Sequence, residues 1–138
     1  MTGSDFPLLF TPVIGQWADD LDLDEETAVR MLTPFGGGAF DGEMCGAVSG
    51  ALAAIGARYG HYEFGDEEGN ARMIAKTAEF KRRFKDVNSS LVCRELLKEY
   101  DFSREGDLEK AKASGIFIEK CPYFIKSALD ILDEIMDE

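Results

Sequence analysis

The chain has 138 residues, a length that fits one domain with a single hydrophobic core. Its 27 acidic residues outnumber its 15 Lys and Arg, and the net charge of −12 excludes the basic face that a nucleic-acid binder or a binder of anionic membranes needs. Because 45% of its residues are hydrophobic, the composition is typical of a folded chain and not of a disordered one. We therefore expect one soluble domain over residues 1–138, and the composition leaves a homo-oligomer open.

Helical periodicity and helix-capping residues occur along most of the chain. The segments predicted to be helical are, in chain order, Phe6–Leu21, Glu25–Leu32, Gly42–Tyr59, Glu67–Val87, Leu91–Tyr100 and Pro122–Met136. The charged stretch Asp101–Gly115 is expected to be a loop with one helical turn at Asp107–Ala113, and Ile116–Ile118 is a candidate short strand. Since no alternating apolar pattern is long enough for a sheet, the sequence predicts an all-α fold, a compact bundle of about five to six helices.

No part of the sequence has the pattern of a secretion signal or of a membrane span. The longest weakly interrupted apolar stretch, Phe6–Trp17, is too short to cross a bilayer, and no basic region precedes it. We therefore expect a cytoplasmic protein, in which cysteines rest as thiols because the compartment is reducing.

The strongest chemical signal in the sequence is its three cysteines, Cys45, Cys93 and Cys121. An odd number excludes a fully paired disulfide framework within one chain, and no CxxC motif is present. Each cysteine is predicted at the start of a helix: Cys45 in the first turn of the glycine- and alanine-rich helix, Cys93 shortly after Ser90, and Cys121 as the N-cap before Pro122. Unpaired N–H groups and the helix dipole favour a thiolate there, which is the form that both redox chemistry and metal ligation require.

The residues around these cysteines resemble a known family. Phe35–Gly38 (FGGG) is followed by Gly42–Leu52 (GEMCGAVSGAL), and together they are similar to the core of a family of redox-active proteins named for its pattern of Cys, GCAxxG, Cys and Cys. Cys93–Leu97 and the pair Cys121-Pro122 resemble its last two cysteine elements, whereas Leu8–Pro12, where its first cysteine is expected, contains none. The resemblance implies a small helical protein with redox or metal chemistry, and it defines no substrate.

Three functions from different classes stay open at this point. The first is a thiol redox protein in which Cys45 pairs with Cys93 or Cys121 for thiol–disulfide or electron-transfer chemistry with an unidentified redox partner. The second is a metal or iron–sulfur cluster site with all three cysteines as ligands and an open fourth position. The third is a non-catalytic helical interaction module, in which the cysteines are small buried hydrophobic residues.

Cys45 is predicted to be the functionally central thiol. The preceding turn Gly36–Gly38 can present free N–H groups to a thiolate, and the small residues after Cys45 let a bound group approach the sulfur closely. Asp41 and Glu43 act in the opposite direction, since a nearby carboxylate raises the pKa of a thiol. We expect the first effect to dominate, so that Cys45 reacts first and its pKa lies below the free value of about 8.5. Cys93, flanked by leucines, is expected to be a buried supporting or resolving thiol.

Overall fold

The computed structural model describes residues 11–137, and in this range seven α-helices are joined by short connections. The helices are α1 (Pro12–Trp17), α2 (Glu25–Leu32), α3 (Gly46–Tyr59), α4 (Glu67–Asn88), α5 (Cys93–Leu97), α6 (Asp107–Ser114) and α7 (Ile116–Met136). No strand occurs in the described range, so the all-α prediction is confirmed, with slightly more helices than expected. Over the same residues, no helix is both long and apolar enough to pass through a bilayer.

Helices α2 and α4 begin where their sequence signals place them. The side chain of Asp24 accepts a hydrogen bond from the N–H of Thr27 at 3.0 Å, and Asp66 does the same for Gly69 at 2.8 Å. Each cap satisfies a backbone donor that the helix itself leaves unpaired, and two glutamates follow in each first turn, where the helix dipole favours negative charge. The predicted starts at Glu25 and Glu67 are therefore confirmed.

The first predicted helix is shorter than expected within the described residues. Helix α1 ends at Trp17 instead of Leu21, and residues 6–10 of the prediction lie outside the described residues. Beyond α1, Asp22 takes a positive φ of 58° and the N–H of Leu23 bonds back to the carbonyl of Ala18 at 2.8 Å. This left-handed turn ends the helical path, because the next residues can no longer continue the i to i−4 ladder.

Helix α3 lies at the centre of the core and packs against α1, α4 and α7. Its buried face consists largely of small residues such as Ala47, Ala51 and Ala54, which let the neighbouring helices approach closely. Phe80 and Phe84 of α4 are fully buried, with ring centroids 6.0 Å apart. The core therefore combines close backbone approach at α3 with large apolar side chains from the surrounding helices.

The prediction of a strand at Ile116–Ile118 and of a helix start at Cys121 is wrong. Helix α7 begins directly after Gly115, which has a φ of 78°, and it continues through Pro122. A proline inside a helix costs one backbone hydrogen bond. This loss is outweighed because the continuous helix buries a long apolar stripe. Its buried members are Ile116, Phe117, Cys121, Ala128, Ile131, Leu132, Ile135 and Met136.

Candidate thiol site

A short antiparallel bridge joins the chain segments that lead into Cys45 and Cys93. Met44 pairs with Val92 at its centre. The flanking hydrogen bonds run from the N–H of Cys45 to the carbonyl of Leu91 (2.8 Å) and from the N–H of Cys93 to the carbonyl of Glu43 (2.6 Å). Because neighbouring residues of an extended chain point to opposite faces, the two cysteines project from the same face of the bridge.

Cys93 is the first residue of α5, so its predicted position in a first turn is confirmed. Cys45, predicted in the first turn of a helix that begins at Gly42, is instead the N-cap of α3, which begins at Gly46. Cys121 lies inside α7, beyond its first turn, so its predicted N-cap position is wrong. It reaches the site because it lies on the buried face of α7, which packs against α3.

The three thiols converge, although they come from three different elements. A charge on Cys45 raises the pKa of both Cys93 and Cys121, and a charge on Cys121 raises that of Cys93. Each thiol therefore lies within the range of direct electrostatic interaction with the others. All three are free in the structure.

Burial dominates the acidity of these thiols. Cys45, Cys93 and Cys121 are only 3%, 6% and 2% exposed. Loss of hydration raises the pKa of Cys45 to about 11 and that of Cys121 to about 12, and it raises the pKa of Cys93 further. The prediction that the pKa of Cys45 lies below 8.5 is therefore wrong.

The helix-start effect on Cys45 is nevertheless present. The backbone N–H groups of Ala47 and Val48, in the first turn of α3, lower the pKa of Cys45 and partly offset its burial. As a result, the pKa of Cys45 is raised less than those of Cys93 and Cys121. Cys45 is thus the most acidic of three weakly acidic thiols.

A left-handed turn covers Cys93. Its residues Gly37, Gly38, Ala39 and Phe40 have φ values of 63°, 65°, 59° and 60°. For a residue with a side chain, this conformation costs roughly 1–2 kcal/mol. A Cβ atom at Gly38 would lie 2.9 Å from the Cβ of Cys93 and 2.7 Å from the carbonyl oxygen of Glu43, so only glycine allows the turn to lie this close.

Two charged residues, Arg94 and Asp101, act on the pKa of Cys93. Arg94 donates a hydrogen bond from Nη1 to the carbonyl of Gly42 at 3.3 Å, and its charge lowers the pKa of Cys93. Asp101 acts in the opposite direction and raises that pKa. The pKa of Asp101 is itself lowered, chiefly by hydrogen bonds from Ser103 and also by the charge of Arg94. Arg94 therefore ties the end of the covering turn to α5 beside the thiol.

From the sequence, Gly38 was expected beside the thiolate of Cys45, but it lies against Cys93, and Arg94 was not expected at this site. Their contacts join residues more than 50 positions apart in the chain, as between Arg94 and Gly42, and no local pattern encodes them. The only signal was the run of three glycines before Cys45. The bridge at Met44 and Val92 was also missed, because one residue pair is too short to produce an alternating pattern.

The described residues contain no ready-made metal site. Over residues 11–137, no group of three or more His, Cys, Asp or Glu side chains is arranged to hold a metal ion. The three thiols are close enough to interact electrostatically, yet in this conformation they do not form a ligand set.

The fold and the site define a compact all-α protein with a buried cluster of three thiols. The family model described as "Putative redox-active protein (C_GCAxxG_C_C)" matches residues 11–135, so the chain belongs to this family and the resemblance seen in the sequence is confirmed. No curated protein and no solved structure matches the chain significantly. No cysteine precedes Cys45, so this member has three of the four cysteines that name the family.

Proposed function

We propose that this protein is a thiol redox protein in which Cys45 and Cys93 form a reversible disulfide. The observation that carries this proposal is the backbone bridge, which holds the two cysteine segments side by side. Cys93 is favoured over Cys121 as the partner, because the bridge holds the segment of Cys93 beside that of Cys45, whereas Cys121 lies in α7, outside the bridge. We also propose a reducing compartment, the cytoplasm, where three free thiols are the resting state.

The proposed reaction is thiol–disulfide exchange with a disulfide-bearing partner. The Cys45 thiolate attacks one sulfur of the partner disulfide, which forms a mixed disulfide and releases the other partner sulfur as a thiolate. The Cys93 thiolate then attacks the Cys45 sulfur and releases the second partner sulfur. One disulfide forms in the protein, and the partner disulfide is reduced to two thiols that take up the two protons lost by Cys45 and Cys93. Cys45 is the attacking thiol because its pKa is raised least.

Both the burial of the thiols and the geometry of the bridge require a movement before this reaction. Thiols with raised pKa values and almost no exposure do not react until water and the partner reach them. In addition, Cys45 and Cys93 are diagonal neighbours across the bridge, which corresponds to a Cα separation of about 7–8 Å. A disulfide needs less than about 7 Å, so the backbone must shift for the bond to form.

The left-handed turn at Gly37–Phe40 is the segment best suited to open. It lies directly against Cys93, and two of its residues, Ala39 and Phe40, hold a left-handed conformation that is unfavourable for residues with a side chain. Opening of this turn would relieve the strain at Ala39 and Phe40 and would expose Cys93 at the same time. We therefore propose that opening of this turn precedes the exchange.

Peptide mapping after mild oxidation tests the proposal. Trypsin places the three cysteines on separate peptides, Met31–Arg58, Asp86–Arg94 and Cys121–Lys126. Folded protein treated with an oxidised dithiol reagent should lose the mass of two hydrogen atoms and yield the first two peptides joined by a disulfide. The Cys121→Ser variant is the matched control and should give the same product. No intramolecular disulfide under any mild oxidant would overturn the proposal, and a Cys45–Cys121 link would overturn the choice of partner.

A metal or cluster bound by Cys45, Cys93 and Cys121 is the second candidate, and the convergence of the three thiols favours it. Metal binding would deprotonate the thiols, so it would offset the raised pKa values of this site. Elemental analysis and an absorbance spectrum of anaerobically purified protein separate the two candidates. A stoichiometric metal that is lost from the Cys121→Ser variant would favour this second function over the disulfide.

A further inference from the structure

The outward face of α4 carries a regular seam of side chains. Its members are Glu67, Ala71, Ile74, Ala78, Lys81 and Lys85. Their spacing alternates between four and three residues, which is the spacing of the contact positions in a heptad repeat. All are exposed except the half-buried Lys81, and Ile74 is 62% exposed although it is large and apolar.

A shallow groove on this seam can accept a side chain from another helix. It has a volume of about 330 Å³ and is lined by Met73, Ile74, Thr77, Ala78 and Lys81. Four of these residues stand at positions i, i+3, i+4 and i+7, the set that surrounds an inserted side chain in knobs-into-holes packing. The groove therefore fits an apolar side chain from a second helix.

The seam is complementary to itself when a second copy runs antiparallel. A twofold axis at the level of Lys76 places Glu67 opposite Lys85 of the second copy and Ile74 opposite Ala78 of the second copy. In this arrangement, Ile74 of each copy lies at the level of the other copy's groove. A parallel arrangement would instead place Glu67 beside Glu67 and Lys85 beside Lys85, which is repulsive.

The charges at the two ends of the seam are available for this contact. Neither Glu67 nor Lys85 has an ion-pair partner among the described residues, whereas Arg82 and Arg83 on the same helix do. The small side chains of Ala71 and Ala78 allow two helix axes to approach to about 8 Å. Tyr62 and Phe64, almost fully exposed just before α4, add apolar surface at the end of the seam.

We propose that the protein forms a twofold homodimer through antiparallel pairing of α4 with α4 of a second copy. Such an interface uses the same patch on both subunits, so each contact occurs twice. The interface involves neither Cys45, Cys93 nor Cys121, so the dimer proposal does not depend on the proposed thiol chemistry.

Sedimentation equilibrium of the full chain, with a reductant present to exclude disulfide crosslinks, tests this proposal. The wild-type protein should show a monomer–dimer equilibrium, and Ile74→Glu should be monomeric with an unchanged circular dichroism spectrum. Lys85→Glu and Glu67→Lys should each raise the dimer dissociation constant about tenfold at low salt, since each change makes two symmetric contacts repulsive. The double variant, which exchanges the two charges, should restore wild-type association.

The matched control is Glu105→Lys, which makes the same charge change at an exposed position away from α4 and should leave association unchanged. A wild-type protein that stays monomeric up to about 0.5 mM would overturn the proposal. A dimer that is insensitive to the single charge reversals, or that the double variant fails to restore, would also overturn it, because the interface would then lie elsewhere.

Discussion

Replacement of Gly38 by alanine should destabilise the protein far more than the same change at a comparable glycine. Gly38 has a φ of +65°, and a Cβ there would lie 2.7 Å from the Glu43 carbonyl oxygen and 2.9 Å from the Cβ of Cys93. The left-handed conformation costs an alanine roughly 1–2 kcal/mol, and displacement of the neighbouring backbone adds about 1–3 kcal/mol. We therefore expect Gly38→Ala to lower the free energy of unfolding by about 2–5 kcal/mol.

Gly65 provides the control, because it has a φ of +83° and nothing lies within 4 Å of the position that a Cβ would occupy. Gly65→Ala should therefore lose only the conformational part, about 1–2 kcal/mol. Urea unfolding under reducing conditions measures both variants. If the turn is displaced as expected, iodoacetamide should also label Cys93 faster than Cys45 and Cys121 in Gly38→Ala, with no such preference in Gly65→Ala.

Two outcomes would refute this reasoning. Equal destabilisation by Gly38→Ala and Gly65→Ala would mean that the turn does not pack tightly on Cys93. Equal acceleration of labelling at Cys45, Cys93 and Cys121 would mean that the thiols become accessible by global unfolding and not by opening of the turn at Gly37–Phe40.

Two further predictions concern the buried thiols and the core. Burial raises the pKa of the Cys45 thiol to about 11 in the folded state, whereas the value in the unfolded state is about 8.5. The contribution of this buried thiol to stability is therefore complete below about pH 8.5. It is lost as the pH rises towards 11, at about 1.4 kcal/mol per pH unit. Urea unfolding between pH 7 and pH 10.5 should show a shallower decline in Cys45→Ala than in wild type, and parallel declines would contradict the burial of this thiol. Phe84→Ala should lower the free energy of unfolding by about 3–5 kcal/mol, whereas Tyr123→Ala, at an exposed position, should change it by no more than about 0.5 kcal/mol, and similar losses would argue against the described core.

The helices that sequence predicts well are those with local signals. Asp24 and Asp66 cap α2 and α4 through residues three positions later, so the information lies within one turn of chain. The start of α7 could not be predicted in this way. Pro122 and the β-branched residues of Ile116–Ile118 favoured a break, and only packing of the whole buried stripe outweighs these local preferences.

The candidate site could likewise be predicted only in part. Cys45, Cys93 and Cys121 could be chosen as candidate residues from their predicted helix-start positions and from the resemblance to the family. The direction of their pKa shifts could not be predicted from the sequence. The helix-start effect, which lowers the pKa of Cys45, is local, whereas the burial that raises this pKa depends on distant parts of the chain. The turn at Gly37–Phe40 and the face of α7 cover this region, and neither contact leaves a pattern in the sequence around the cysteines.

A redox titration of the Cys121→Ser variant tests the central claim most directly. The variant is equilibrated in buffers of defined thiol–disulfide ratio, and the fraction of Cys45 linked to Cys93 is measured by peptide mapping. The account predicts one reversible two-electron transition, in which the ratio of oxidised to reduced protein changes tenfold for each change of about 30 mV. A variant that stays fully reduced at every potential, or that forms only intermolecular disulfides, would contradict it.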